Sequence, residues 1–339
     1  MIETIARTTG AIQLISRPAG FPEPADFALV ELPVTGPGPG QVLIRNLFTA
    51  LDPGMLMRIG DYPGIPMPPF GIGEPLSGDA IGEVVLSGDE ALPPGTLVVH
   101  RLGWRDYAVA DIATVRAVDA DAYDSPSTHL GPGLVAYAGL TAVAGMRSGD
   151  TVFVSSAAGA TGGLAGQLAR LLGAGRVIGS AGSAAKVAYA VGELGFDAAF
   201  DYHDGPVADR LRALAPDGID VYFDTVGGEQ LRAAIEVMNP GGRVALCGAL
   251  ARQRAGGTPD TGPGDLLPVI GKRLTLRGFT AFDHLHLAPE YGRRLREWLA
   301  DDAIVRTETI VDGLANAPRA LLDLVRGEYR GKVVVRHTR

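Results

Sequence analysis

The sequence predicts an α/β protein in which a doubly wound parallel sheet is joined to a second, mainly β domain. Three observations predict it. At 339 residues the chain exceeds what one hydrophobic core usually supports, so two domains are expected. Residues 1–125 are rich in Pro and Gly and carry only short alternating apolar runs, the mark of an irregular strand-rich domain. From residue 126 onward, short apolar runs alternate with helical stretches, which implies a parallel sheet built from repeated β-α-β units.

In order along the chain, residues 41–48, 80–86 and 96–99 read as strands of the first domain, and 129–147 reads as a helix. Strands are then expected at 151–155, 176–180, 198–201, 219–224 and 242–247, with helices at 162–172, 184–194, 206–215 and 229–237 between them. The tail carries a helix at 315–324 and a strand at 332–336. A terminal strand needs a sheet to pair with, so the tail is expected to return to the first domain. The expected division is residues 1–125, 126–300 and 301–339.

Composition excludes several classes. With 46% hydrophobic and 20% charged residues, the chain reads as an ordinary soluble globular protein. A net charge of −8 without any Lys/Arg run argues against a nucleic-acid partner. No run of about twenty apolar residues suggests a membrane span, and the first ten residues lack a signal-peptide pattern, so a cytoplasmic protein is expected. Cys247 is the only cysteine, which rules out an intrachain disulfide and a cysteine-built structural zinc site.

The expected strand at 151–155 runs into Ser156, Ala157, Ala158, Gly159, Ala160, Thr161 and Gly162, a glycine-bearing turn that opens a helix. This is a variant of the dinucleotide-binding turn, with Ala157 where the first glycine would stand. Gly159 allows close approach of a pyrophosphate, Gly162 allows the helix to pack on the strand, and the helix N-terminus supplies amide donors. An ordinary strand-to-helix turn is the alternative; its position at the head of a chain of alternating units favours the nucleotide. The next strand ends in Ala181, Gly182 and Ser183 without the acid that binds a ribose 2′-hydroxyl, and Lys186 follows. NADP(H) is therefore expected, with Lys186 as the cation and Ser183 and Tyr202 as further donors to the 2′-phosphate.

The phrases from Ala157 to Gly162, Ala181 to Tyr189, Leu194 to Asp197, Tyr222 to Gly228 and Gly241 to Gly248 together resemble the zinc-free double-bond reductases of the medium-chain dehydrogenase/reductase superfamily. That group includes prostaglandin, alkenal and curcumin-type reductases. The likeness thins in the first domain to Leu51–Pro53, Met57–Arg58 and Gly71–Glu83. It implies a Rossmann domain inserted into a split, GroES-like catalytic domain. It further implies that Gly159, Ala160, Thr161 and Gly162 form the pyrophosphate turn, and that Cys247, Gly248 and Ala249 with Phe279, Thr280 and Ala281 flank the nicotinamide. Thr225, where relatives often carry Asn, and Tyr329, in the family's final cofactor-contact segment, complete the implied cofactor set. This chain departs from the family in having Arg252 and Gln253 where relatives place a Tyr after the Cys-Gly-Ala turn.

Zinc enzymes of this superfamily need cysteines and a His-Glu pair around an open position. Here Gly71, Ile72, Gly73 and Glu74 lack the His and the first domain lacks Cys, so no metal is expected; His284 and His286 alone read as surface residues.

The expected reaction is hydride delivery to the β-carbon of an α,β-unsaturated carbonyl compound, with an oxyanion to stabilise and a proton to supply. Tyr62, in a Gly/Pro-rich loop that resembles the substrate loop of related reductases, is the expected proton donor or carbonyl anchor; a turn-packing Tyr is the alternative. Met55, Met57 and Phe282 are candidates for an apolar substrate pocket, with core packing as the alternative. Two other functions fit the same residues: a quinone oxidoreductase, and an NADPH-binding biosynthetic or regulatory protein without turnover. Relatives pair through a sheet edge, so a homodimer through residues 272–279 is expected.

Overall fold

In the computed structural model, which describes residues 8–60, 62, 67–255 and 262–338, the alternating runs at the start of the chain become antiparallel strands. These are β1 (Thr8–Leu14), β2 (Phe27–Pro33), β3 (Gln41–Ala50), β4 (Ala80–Ser87), β5 (Leu97–His100), β6 (Tyr107–Asp111) and β7 (Arg116–Ala117), with helix α1 (Met55–Ile59) between β3 and β4. β1 pairs with β2, and β3 carries β4 on one side. Alternate residues of these strands, Val42, Ile44, Val84, Val98 and Ala110, close on one another as a core.

The segment 129–147 is not one helix. A 3₁₀ turn at Pro126–Leu130 stops before Gly131 and Pro132, then α2 (Gly133–Ala138) continues into a π-turn at Gly139–Val143. Pro132 has no amide hydrogen and disfavours helix at the residue before it, so the chain restarts there.

Six parallel strands follow: β8 (Thr151–Val154), β9 (Arg176–Ala181), β10 (Ala198–Asp201), β11 (Ile219–Asp224), β12 (Met238–Leu246) and β13 (Thr275–Gly278). Between them lie α3 (Ala160–Leu171), α4 (Ala184–Gly192), α5 (Val207–Leu214), α6 (Gly228–Val237), α7 (Leu250–Arg254) and α8 (Leu267–Lys272), and α9 (Ala288–Ala300) follows β13. The sheet order is β10-β9-β8-β11-β12-β13. The first three strands are laid down in one direction and the last three in the other, so the winding reverses between β8 and β11, which is the Rossmann arrangement. Phe153, Ile178, Ile219, Tyr222 and Val244 are buried where these strands meet their helices.

The expected strands at 198–201 and 219–224 coincide with β10 and β11, while α3 opens two residues ahead of its expected start and β12 four. The expected apolar strand at 272–279 is the end of α8 followed by the shorter β13. The tail forms β14 (Glu308–Asp312), α10 (Ala317–Arg326) and β15 (Lys332–Arg336). β15 lies between β14, parallel, and β3, antiparallel. The chain thus divides into two compact units, Met1–Gly131 with Glu308–Arg339, and Pro132–Thr307. The divisions expected from the sequence are 125/126 and 300/301.

Candidate functional site

The winding reversal puts the ends of β8 and β11 side by side, and a ligand-binding crevice in such a sheet lies at that point. The turn after β8 is tight: Ser156 takes φ 54°, and Gly159 stands before the first residue of α3 in an extended conformation. No side chain caps α3, so the amides of its first turn, Ala160, Thr161 and Gly162 among them, keep their donors for an incoming acceptor. Gly162 is held by close approach rather than by φ: a Cβ there would sit 2.4 Å from the Ser156 carbonyl oxygen and 2.6 Å from that of Ser155. Gly179 of β9 is equally constrained, since its Cβ would lie 2.5 Å from the Ala157 methyl.

At the end of β9, Ser183 is the N-cap of α4 and its Oγ accepts from the Lys186 amide at 3.3 Å. Lys186, half-buried, is thereby fixed in the first turn. The Tyr202 amide donates to the Ala181 carbonyl at 3.1 Å, which brings its ring against Gly182; a Cβ at Gly182 would lie 3.0 Å from the phenol oxygen. Arg254, at the end of α7, donates from Nη1 to that phenol at 2.9 Å. The adjacent acid, Asp201, is turned to its own neighbour: Oδ1 accepts from the His203 amide at 3.0 Å and lies 2.9 Å from His203 Nδ1. Arg254 thus reaches Tyr202 beside the end of β9, near the helix turn that carries Lys186, and is a residue that sequence reading missed.

Asp224, fully buried at the end of β11, ties the crevice together. Its Oδ1 accepts from Tyr222 Oη at 2.7 Å, from the Val226 and Gly227 amides at 2.9 and 2.8 Å and, more weakly, from Ser155 Oγ at 3.4 Å. Its own carbonyl accepts from the Cys247 and Gly248 amides at 2.8 and 3.1 Å. Burial pushes the Asp224 carboxyl above its usual range against these hydrogen bonds, and pushes the Tyr222 phenol well up, the Asp224 charge adding to it. Thr225 donates its amide to Ser155 Oγ at 2.9 Å, and a Cβ at Gly248 would lie 2.9 Å from the Thr225 carbonyl. The turn Cys247–Ala249 is therefore pressed against Thr225 at the strand ends. The acid at a strand end followed by Thr225, Val226, Gly227 and Gly228 was the available signal for this hub.

Phe279 packs toward Phe223 across Gly139, where a Cβ would lie 2.4 Å from one ring and 2.8 Å from the other. Thr280 caps the 3₁₀ helix Ala281–Leu287 through Asp283, its Oγ1 donating at 2.9 Å. Phe282, on that helix, is 58% exposed. The remaining expected residues belong to the other unit. Met55 is buried with Leu56 and Ile59 as core of α1, and Met57 is half-buried. Tyr62 donates its amide to the Met57 carbonyl at 3.0 Å and lays its ring over Gly60. Asp61 and residues 63–66 of its loop lie outside the described residues. Tyr329 stands in the turn between α10 and β15, its phenol pushed up by burial. Three residues on, Lys332 donates to the Leu51 carbonyl at 3.2 Å.

Residues 11–118 match the family described as "N-terminal domain of oxidoreductase" and residues 160–299 the family described as "Zinc-binding dehydrogenase". The NADPH-dependent curcumin reductase of Escherichia coli is 38% identical over 95% of each chain. The NADP(+)-dependent 2-alkenal reductase of Nicotiana tabacum is 35% identical over 93% of this chain and 94% of its own. The crystal structure of CurA from Vibrio vulnificus in complex with NADPH superimposes with a TM-score of 0.90 at 34% identity, covering 97% and 99% of the two chains.

The chain belongs to the medium-chain dehydrogenase/reductases, in the group that holds these NADPH-dependent reductases. Although one matching description carries zinc in its name, this member of the family has Cys247 as its single cysteine. Among the described residues no three His, Cys, Asp or Glu side chains converge as metal ligands. The buried His284 stacks edge-on against Phe279, with ring centroids 5.9 Å apart.

Proposed function

We propose that this chain reduces the carbon-carbon double bond of α,β-unsaturated carbonyl compounds with NADPH and without zinc. The observation that carries the reading is near-full-length identity of 35–38% with reductases named for curcumin and 2-alkenals, joined to a crevice whose features suit a phosphorylated dinucleotide. The fit rests on the uncapped start of α3, the glycines that a Cβ would block, and the acid-free end of β9 beside Lys186. When bound, NADPH supplies a hydride to the substrate β-carbon.

In this reading Pro132–Thr307 is the nucleotide-binding domain and the other unit, GroES-like, is the catalytic one. Gly159, Ala160, Thr161 and Gly162 hold the pyrophosphate by their amides. Ser183, Lys186 and Tyr202 hold the 2′-phosphate, while Thr225, Cys247–Ala249, Phe279–Ala281 and Tyr329 orient the nicotinamide half. Tyr62 anchors the carbonyl oxygen or passes a proton to the α-carbon. Met57 and Phe282 are the candidates for apolar contacts with the substrate, whereas Met55 is buried as core of α1.

No helix among the described residues is long and apolar enough to cross a membrane. We place the enzyme in the cytoplasm, where its lone thiol stays reduced, as a homodimer.

The test is NADPH oxidation with a panel of enones, enals and quinones, with NADH as control. Turnover of enones and enals supports the reading. Turnover of quinones alone replaces it with the quinone reading, and tight NADPH binding without turnover on any of them overturns both.

A further inference from the structure

We propose that Arg254 is a specificity-determining residue for the cofactor's 2′-phosphate, acting both as a second cation and as the group that aims the Tyr202 hydroxyl. The inference rests on the NADPH reading above and adds to it a residue that neither the glycine turn nor the β9 end identifies.

Three observations place Arg254 there. Its Nη1 donates to Tyr202 Oη at 2.9 Å. Tyr202 is tied by its amide to Ala181, the last residue of β9, and its ring lies on Gly182, where any Cβ would come within 3.0 Å of the phenol oxygen. The chain then passes through Ser183, which caps α4 and sets Lys186 in the first turn. Arg254 therefore reaches the same strand end as Lys186 from another part of the chain, at the close of α7.

The chemistry follows from donor and acceptor roles. A phenol that accepts from a guanidinium has that lone pair occupied, and its own hydrogen is left to donate to an anion beside it. The guanidinium presents five N–H groups in a planar fork whose geometry matches phosphate oxygens. β9 itself ends at Ala181 and leads into Gly182 and Ser183 without an acid, and Asp201, at the neighbouring strand end, turns its Oδ1 to His203. If Arg254 served only to strap α7 to the sheet, its removal would affect dinucleotides with and without the 2′-phosphate alike.

The experiment is calorimetric titration of the full chain with 2′,5′-ADP and with 5′-AMP, repeated with NADP⁺ and NAD⁺. Arg254→Met keeps the apolar stem and removes the charge. The expected result is about a tenfold or greater loss for 2′,5′-ADP and NADP⁺, with 5′-AMP and NAD⁺ unchanged and a shallower salt dependence for the phosphorylated probes. Arg254→Lys is expected to recover only part of the loss, because the fork is gone. Tyr202→Phe, which removes a hydroxyl only, is expected to lose affinity for the same two probes and serves if the Met variant fails to fold. Equal losses for both classes of probe, or no loss, overturn the role of Arg254 while the NADPH reading stands. A wild-type chain that does not prefer 2′,5′-ADP over 5′-AMP removes the NADPH reading and this inference with it.

Discussion

Gly162 is the residue at which the turn is most sharply constrained, because the atoms its Cβ would meet, at 2.4 and 2.6 Å, are backbone carbonyls that cannot rotate away. Gly162→Ala is expected to displace the start of α3, costing about 1–3 kcal/mol of stability and weakening NADPH binding; urea unfolding and dinucleotide titration measure both. His100 provides the pH prediction. Buried in β5, it has its pKa lowered to about 4, mainly by desolvation and then by Arg105 and His337. The unfolded chain, with an ordinary His near 6.5, therefore binds the proton first as pH falls. The stability due to neutral His100 is complete above about 6.5 and is lost as pH drops through about 4, amounting to about 3 kcal/mol. His100 Nδ1 accepts from the Leu102 amide, so His100→Asn retains an acceptor without the titration. Its stability is expected to change less between pH 7 and 4 than that of the wild type; parallel curves would remove His100 as the cause. The glycine turn, the missing acid and Lys186 were legible in the sequence because each is a local feature of one strand end. Arg254 was not, since its bond joins segments tens of residues apart; of the Asp224 hub the sequence carries the local part, the acid and the turn after it, but not its ties to Ser155 and to the Cys247–Gly248 turn.

At the scale of elements, the tail strand β15 depends on a clamp just beyond it. The His337 side chain is 4% exposed, with Nδ1 2.8 Å from Asp106 Oδ1 and Nε2 2.8 Å from Thr49 Oγ1, and its amide donates to the Leu47 carbonyl at 3.0 Å. His337→Ala leaves the buried Thr49 hydroxyl without this partner and opens a hole beside β3. The expected cost is about 2 kcal/mol or more, read as a lower urea midpoint with an unchanged m-value; a midpoint like that of the wild type would show that β15 is held by its strand pairing alone. Strands such as β10 and β11 were legible because a buried parallel strand is a short apolar run bounded by turn residues. The interval 129–147 was not, because its apolar periodicity runs on across Gly131 and Pro132 while the backbone does not. The early start of α3 has a different cause: Ala160 and Thr161 carry no apolar signal, and only the cap geometry of Gly159 marks the first turn.

At the scale of the whole molecule, the question is what covers the outer edge of the parallel sheet. β13 is the last strand in the order, and Thr275, Arg277 and Gly278 on it are exposed. Beside it α8 presents Leu267 and Ile270, 70% and 71% exposed, with Leu266 at 54% on the approach. Among the described residues no strand pairs with the outer side of β13, and such an edge next to large apolar side chains is a liability for a monomer and a natural place for a second copy, whose own β13 would extend the sheet about a two-fold axis. Light scattering is therefore expected to return twice the 35.2 kDa of one chain at micromolar concentration. Because Leu267 and Ile270 project from the chain's surface, the double variant L267E/I270E is expected to leave the fold of each copy unchanged, within about 0.5 kcal/mol, while placing like charges across the two-fold contact. The variant should then elute and scatter as a monomer with its NADPH affinity retained, since neither residue belongs to the crevice at β8 and β11. A wild-type monomer would remove the dimer, and a variant that stays dimeric would move the interface away from α8 and β13.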